Sequence, residues 1–337
     1  MPLLVNSAAH FLVDALCVTT LLSAGAEGAA LTAAVIFYNC LAFGTQCLAG
    51  LLLDRTRHEA LWASAAMLLT ALGFALPLPL IARVLLAGVG NSFFHAAGGS
   101  MTLRDSRGRA WQLGVFVAPG ALGVTLGVTA PRFGWILAAL LVLCAALTPW
   151  LAARGVRTLE YDREAETGLP AFPLAAVLLL TAAVAIRAVG GAAVRFPWKS
   201  GAWAAWLMTG FVFAGKAAGG FVCDRLGARK TAWLSIPAAA VCTAFFAAWP
   251  ATGLLGQLLL NLTMPVTLWL LYRAMPDQPG FAFGLAASAL WPGTVAGLLL
   301  RLTGPALWVC VLGSFLFGLF AVLWSVRAID RAGGQVR

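Results

Sequence analysis

Charge is what this chain has least of. Only 10% of its 337 residues are Asp, Glu, Lys or Arg, against roughly a quarter in a soluble globular domain. That scarcity excludes an ordinary water-soluble protein, and 61% hydrophobic residues with a mean hydropathy of +0.92 agree. Acids are fewer than bases, 12 against 22. The seven cysteines (17, 40, 47, 144, 223, 242 and 310) all fall in apolar stretches without a CxxC spacing, so they read as packing residues, neither disulfides nor metal ligands. HExxH, GxSxG and GxxxxGK[ST] are missing, and with them the motifs of zinc proteases, serine hydrolases and nucleotide-driven pumps. No acid pair lies in an apolar run, so an aspartyl dyad is excluded. The chain gives no reason to expect an enzyme, a cofactor or a metal.

What is present is apolar sequence in runs of about twenty residues, the length that crosses a bilayer as a helix. Twelve such spans are predicted, at 3–23, 29–53, 60–76, 80–102, 110–130, 134–153, 173–194, 202–222, 231–249, 252–272, 280–300 and 304–326. The fold class is therefore an all-α membrane protein of twelve transmembrane helices, with no room for a second soluble domain. The net charge of +10 is distributed by topology. Fifteen of the 22 basic residues lie on one side, at 55, 57, 104, 107, 109, 154, 157, 163, 225, 229, 230, 273, 327, 331 and 337. The opposite side carries Arg132, Arg195, Lys199 and Arg301. The positive-inside rule then puts both termini in the cytoplasm, and nucleic acid is not an expected partner. The first span opens without a basic n-region or a small-residue cleavage site, so no removable signal peptide is expected.

The longest loop, 154–172, contains Glu160, Asp162, Glu164 and Glu166 and divides the chain into halves at 1–153 and 173–337. The halves share a repeat at an offset of 170. Gly50-Leu-Leu-Leu-Asp54-Arg55 follows span 2, and Gly220-Phe-Val-Cys-Asp224-Arg225 follows span 8. The second copy continues Leu226-Gly227-Ala228-Arg229-Lys230, while the first degrades. A Pro-Gly pair recurs in spans 5 and 11 (Pro119-Gly120, Pro292-Gly293). Two halves in the same orientation suit a transporter built from parallel repeats.

The pattern G-x-x-x-D-R-x-G-x-R-K between helices 2 and 3, or 8 and 9, resembles the signature loop of the major facilitator superfamily. Ala9-His10-Phe11-Leu12-Val13-Asp14, Gly88-Val89-Gly90-Asn91-Ser92-Phe93-Phe94-His95, Gln112 and the stretch Met275-Pro276 to Gly280 and Gly284 are similar to its fosmidomycin-resistance branch. The resemblance implies two six-helix halves. It also implies that Asp54 and Asp224 latch one side by capping a neighbouring helix, with Arg55, Arg225, Arg229 and Lys230 as partners. Without the resemblance, these are interfacial topology residues.

A charge inside hydrocarbon costs roughly 2.5–3.5 kcal/mol on the mild insertion scale, so each intramembrane ionisable residue is a candidate site. They are few: Asp14, His10, His95, Arg83, Arg187 and Lys216. At ~1.5 Å per residue, His10 and His95 both lie ~10 Å deep, and Asp14 and Asn91 both ~15 Å deep. His10 with Asp14 and Asn91 with His95 are i,i+4 pairs, giving two polar stripes at matching depths on helices 1 and 4. Asp14 is the proton-site candidate with His10 or His95 as relay; the alternative is an Asp and two imidazoles simply satisfied in the core. Arg83 opens a segment similar to the helix-4 motif of proton-coupled antiporters, or else snorkels to the nearer surface. In the second half, Arg187 lies at nearly the depth of Gln257 and Asn261, and Lys216 occupies the repeat position of Gln46. Unpaired cations facing a cavity would attract an anion.

The expectation is thus a monomeric, multi-pass transporter of the bacterial inner membrane, working by alternating access. Its partners would be protons, the lipid bilayer and a small anionic molecule bound at Asn91, Arg187, Lys216, Gln257 and Asn261. The family resemblance suggests proton-driven export. Symport, facilitated uptake and movement of an anionic lipid headgroup are the alternatives.

Overall fold

The computed structural model describes residues 2–334 apart from 24 and 156–172. The proposed loop between the halves therefore lies outside the described residues, as does Arg337. Twelve helices follow one another: α1 (Pro2–Leu22), α2 (Gly28–Thr56), α3 (Glu59–Ala75), α4 (Leu80–Asp105), α5 (Trp111–Thr129), α6 (Gly134–Gly155), α7 (Leu174–Ala193), α8 (Gly201–Leu226), α9 (Ala228–Phe245), α10 (Pro250–Ala274), α11 (Pro279–Leu299) and α12 (Gly304–Gly334). Ten are long and apolar enough to cross a membrane, and the chain is a multi-pass membrane protein. Each predicted span corresponds to one helix. The largest difference is at the end of α12, which continues past 326 to Gly334. Apolarity ends where hydrocarbon ends, but the helix continues, with Asp330 paired to Arg273 at 3.2 Å.

Proline and glycine punctuate the bundle as their backbones require. Pro250 and Pro279 open α10 and α11, where a missing N–H costs nothing. Gly227 breaks α8 from α9 at φ 81°. The residue 170 positions earlier is Arg57, and it too takes a positive φ, 55°. The degraded repeat has lost its glycine and kept its turn. Residues Cys40–Gly44 make a π-helical bulge within α2, the kind of irregularity that bends a helix.

Bonds between helix ends show that the chain runs up and down. Asp54 meets Gly280, Asp224 meets Ala110, Arg104 meets Glu59 and Trp269 meets Gly108, all at one end, which also holds most of the bases. Arg83 meets Gly73 and Ser23, Arg195 meets Leu298 and Trp198 meets Ala247 at the other. We call these the basic end and the far end.

With lipid outside, helix contact depends on close packing and small residues. α1 packs on α5 and α6, α3 on α4 and α6, α7 on α11 and α12, and α10 on α8 and α9. Across the middle α5 packs on α8, and α11 on α2 and α4. Gly123 is where α5 crosses α1: a side chain there would run into Phe11 O. Gly293, 170 residues on, is where α11 crosses α7, against Ala185 O. Overpacking such crossings costs ~1–3 kcal/mol, so Gly123→Leu and Gly293→Leu are each expected to lower the thermal unfolding midpoint in detergent. Gly313→Ala, where the added methyl meets open space, is expected to leave the midpoint unchanged.

Candidate functional site

Two carboxylates cap helix N-termini at the basic end. The first turn of any helix leaves backbone N–H groups without partners. At the start of α11, Asp54 of α2 accepts from Gly280 N at 2.9 Å and Phe281 N at 2.7 Å. At the start of α5, Asp224 of α8 accepts from Ala110 N at 2.7 Å and Trp111 N at 3.1 Å. Every member of one latch lies 170 residues from its counterpart: 54 and 224, 110 and 280, 111 and 281. A carboxylate on two such N–H groups forms charge-assisted bonds and faces the positive end of the helix dipole. The backbone fit is close, since a side chain at Gly50 would strike Gly280 and one at Gly220 would strike Ala110. The cations expected as partners are placed otherwise. Arg55, Arg225, Arg229 and Lys230 are exposed and form no ion pair among the described residues. The ion pair near Asp54 is Arg104–Glu59 at 2.8 Å, with Ser100 also donating to Glu59.

Between these latches and the far end lies a cavity of about 460 Å³. Its lining reaches Ala192, one residue from the far end of α7, and stops short of the latches at Phe283. Phe283 forms its floor, with its ring centroid 5.8 Å from that of Phe116, which is buried behind the lining and packs against the His10 ring at 4.9 Å. Most of the wall is apolar, including Val117, Val124, Val184, Val212, Met264 and Leu290. The polar groups in it are seven that the sequence singled out, His10, Asp14, His95, Arg187, Lys216, Gln257 and Asn261, together with Gln46, Thr267 and Thr294.

Asp14, His10 and His95 meet at one wall, with Asn91 behind them. Asn91 Nδ2 donates to Asp14 Oδ1 at 3.0 Å. His10 Nε2 is 3.4 Å from Asp14 Oδ2, His95 Nε2 is 3.5 Å from Asp14 Oδ1, and the two Nε2 atoms are 2.9 Å apart. Both imidazoles are buried and Asn91 is fully so; Asn91 sits behind the wall and is not part of the lining. Gly120 makes room for the cluster, because a side chain there would run into His10 Nε2 and Asp14 Oδ2. The ligand atoms of this trio lie within 4.8 Å of one another, a spacing that suits a metal ion. The electrostatics do not suit one: Arg187 and Lys216 share the cavity, and Asp14 is the sole acid among its described lining residues.

Arg187 Nη1 donates to Thr263 Oγ1 at 2.7 Å, and no ion pair to it is present among the described residues. Lys216 also lines the cavity and forms no ion pair among the described residues. Asn261 Nδ2 is turned back to Gln257 O at 2.8 Å. Arg83 is not with this group. Its guanidinium bonds Gly73 O, Phe74 O and Ser23 Oγ at the far end. Thr267 and Thr294 of the lining were not singled out, nor were two residues with a clearer part. Thr263 holds Arg187, and Gln46 lines the cavity with its Oε1 unpaired. The offset of 170 between Gln46 and Lys216 was the available signal for Gln46; a threonine on an apolar helix gives none.

No family model matches the sequence, and no curated protein matches it. Solved structures do. A crystal structure of the major facilitator superfamily transporter FucP in the outward conformation aligns with a TM-score of 0.62 at 13% identity, covering 96% of this chain and 98% of that one. A variant of the Escherichia coli fucose:proton symporter FucP aligns with a TM-score of 0.60, also at 13% identity and with the same coverage. The chain has the major facilitator fold.

Hydrogen bonds to a charged group contribute ~1.5–3 kcal/mol, so removing a latch should release the basic end. Asp224→Ala is expected to lengthen the distance between spin labels on the basic ends of α5 and α8, measured by pulsed electron resonance. Asp54→Ala should do the same for α2 and α11. Unchanged distance distributions would mean the carboxylates cap helices without holding the end closed.

Proposed function

We propose that this protein is a secondary active transporter that carries a small organic anion by alternating access. The observation that carries this reading is Arg187. A guanidinium faces an otherwise largely apolar cavity with a threonine hydroxyl as its hydrogen-bond partner among the described residues. Leaving a buried cation uncompensated is costly, and an entering anion supplies the missing counter-charge. Lys216, Gln257, Asn261 and Gln46 are the further groups that would orient such a ligand.

Alternation would come from residues 1–153 and 173–337 moving as two six-helix halves. Support for this lies in the paired latches, in the 170-residue offset shared by both, and in the location of the cavity between α1, α2, α4 and α5 on one side and α7, α8, α10 and α11 on the other. The basic end is the cytoplasmic one under the positive-inside rule, which makes the shape described here outward-facing. Proton coupling belongs to Asp14, His10 and His95. Resemblance at the sequence level points to export. One observation favours symport instead: the trio shares a cavity with Arg187 and Lys216, so a bound proton and a bound anion attract one another. That second reading has a parallel in the fucose:proton symporter of the same fold.

A ligand that binds only the folded protein raises its melting temperature by mass action, by about 2.7 kcal/mol of stability at one hundred times Kd. In a panel of organic anions, cations and neutral metabolites, anions are expected to stabilise the purified protein, and Arg187→Ala to abolish the shift. Stabilisation by cations or neutral compounds alone would overturn the anion assignment.

A further inference from the structure

The two imidazoles fix their own tautomers. His10 Nδ1 lies 2.8 Å from Phe116 O, and His95 Nδ1 lies 2.9 Å from Asn91 O. A carbonyl oxygen only accepts, so both Nδ1 atoms carry hydrogen. In the neutral form each ring then presents a bare lone pair at Nε2. Those Nε2 atoms point at each other across 2.9 Å. Two lone pairs at that distance repel, whereas one proton between them makes an N–H···N bond of ordinary length. Asp14 faces both nitrogens with one oxygen each, at 3.4 and 3.5 Å. Its Oδ1 also accepts from Asn91 Nδ2, which leaves Asp14 free to serve as an ionised acceptor.

We propose that the proton this cavity carries is shared between His10 Nε2 and His95 Nε2, with Asp14 as its fixed counter-ion. The inference rests on the proton-coupled reading above and moves the carrier from the carboxyl to the imidazole pair. One proton gives the trio a net charge of zero. When it leaves to water or to a ligand, the Nε2–H bond breaks heterolytically and its electron pair stays on the ring. The N–H···N bond is lost with it. The pair must then part or take a donor from elsewhere, and a substrate N–H or O–H entering the cavity is such a donor. Gly120 closes the side beneath His10 and Asp14, leaving the cavity as the direction of approach. Other titratable or charged groups near the pair are Cys17 on α1, which takes a bond from Asn91, Tyr38 on α2 next to Cys17, Arg187 on α7 and Lys216 on α8. The residues that α5, α10 and α11 present to this cavity are uncharged, and α6 contributes none to its lining.

Infrared difference spectroscopy of the purified full chain across a pH step tests this without a substrate. The third histidine, His58, is exposed and is first changed by His58→Gln, so that only the pair remains. Isotope-labelled histidine is expected to report an imidazolium that forms on acidification and disappears in both His10→Gln and His95→Gln. Labelled aspartate is expected to show no protonated carboxyl from Asp14 over the same step. A carboxyl signal lost in Asp14→Asn, with silent imidazoles, would overturn the proposal. So would the absence of any titration at the trio, or an imidazolium that survives unchanged in each single variant. The readout is independent of anion binding, so the transport reading and this one fail separately.

Discussion

An ion inside a bilayer has to be answered by another group or by water, and the interior of this protein is organised around that constraint. Among the described residues, three acids at the basic end are answered by a helix N-terminus or a base: Asp54 and Asp224 by backbone N–H groups, Glu59 by Arg104. Asp14 is answered by two imidazoles and an amide. Arg187 has a threonine hydroxyl. The incompleteness is local, and it lies where the structure is hollow. Folding tolerates such a cation because the cavity admits water or a ligand, which is why an unpaired charge here points to cargo.

The latches make the second constraint. A carboxylate capping another helix is strong enough to hold two elements together and leaves nothing buried and unpaired when it lets go, since both groups then face water. The same geometry occurs twice at one sequence offset, on α2 with α11 and on α8 with α5. On the proposed reading, releasing two equivalent caps at one end would let that end open without repacking the crossings at Gly123 and Gly293, which tie α1 to α5 and α7 to α11.

Much of this was legible in the sequence because hydrocarbon imposes simple rules. Span length follows from bilayer thickness, so the helices fell where apolar runs fell, and α12 overran only where it left the apolar phase. Depth counted at a fixed rise per residue placed His10 level with His95 and Asp14 level with Asn91, and the structure brings these four together. What was not legible depends on backbone or on the partner helix. The groups that answer Asp54 and Asp224 are amides, which any residue carries, so helix capping there was expected from the resemblance alone and the neighbouring cations named with it are not the partners. Arg83 has a motif-like setting, yet three oxygens near the surface hold it at the far end.

Access to the cavity from alternate sides is the central claim. The most direct measurement places a single cysteine at Ala188, in the cavity wall, in a chain otherwise without cysteine, and reacts it in sealed vesicles with a membrane-impermeant thiol reagent from each side. With both latches intact, reaction is expected from the far end alone. With Asp54→Ala and Asp224→Ala together, it is expected to shift toward the basic end. Reaction from one side regardless of the latches, or from both sides at once in a single state, would contradict alternating access.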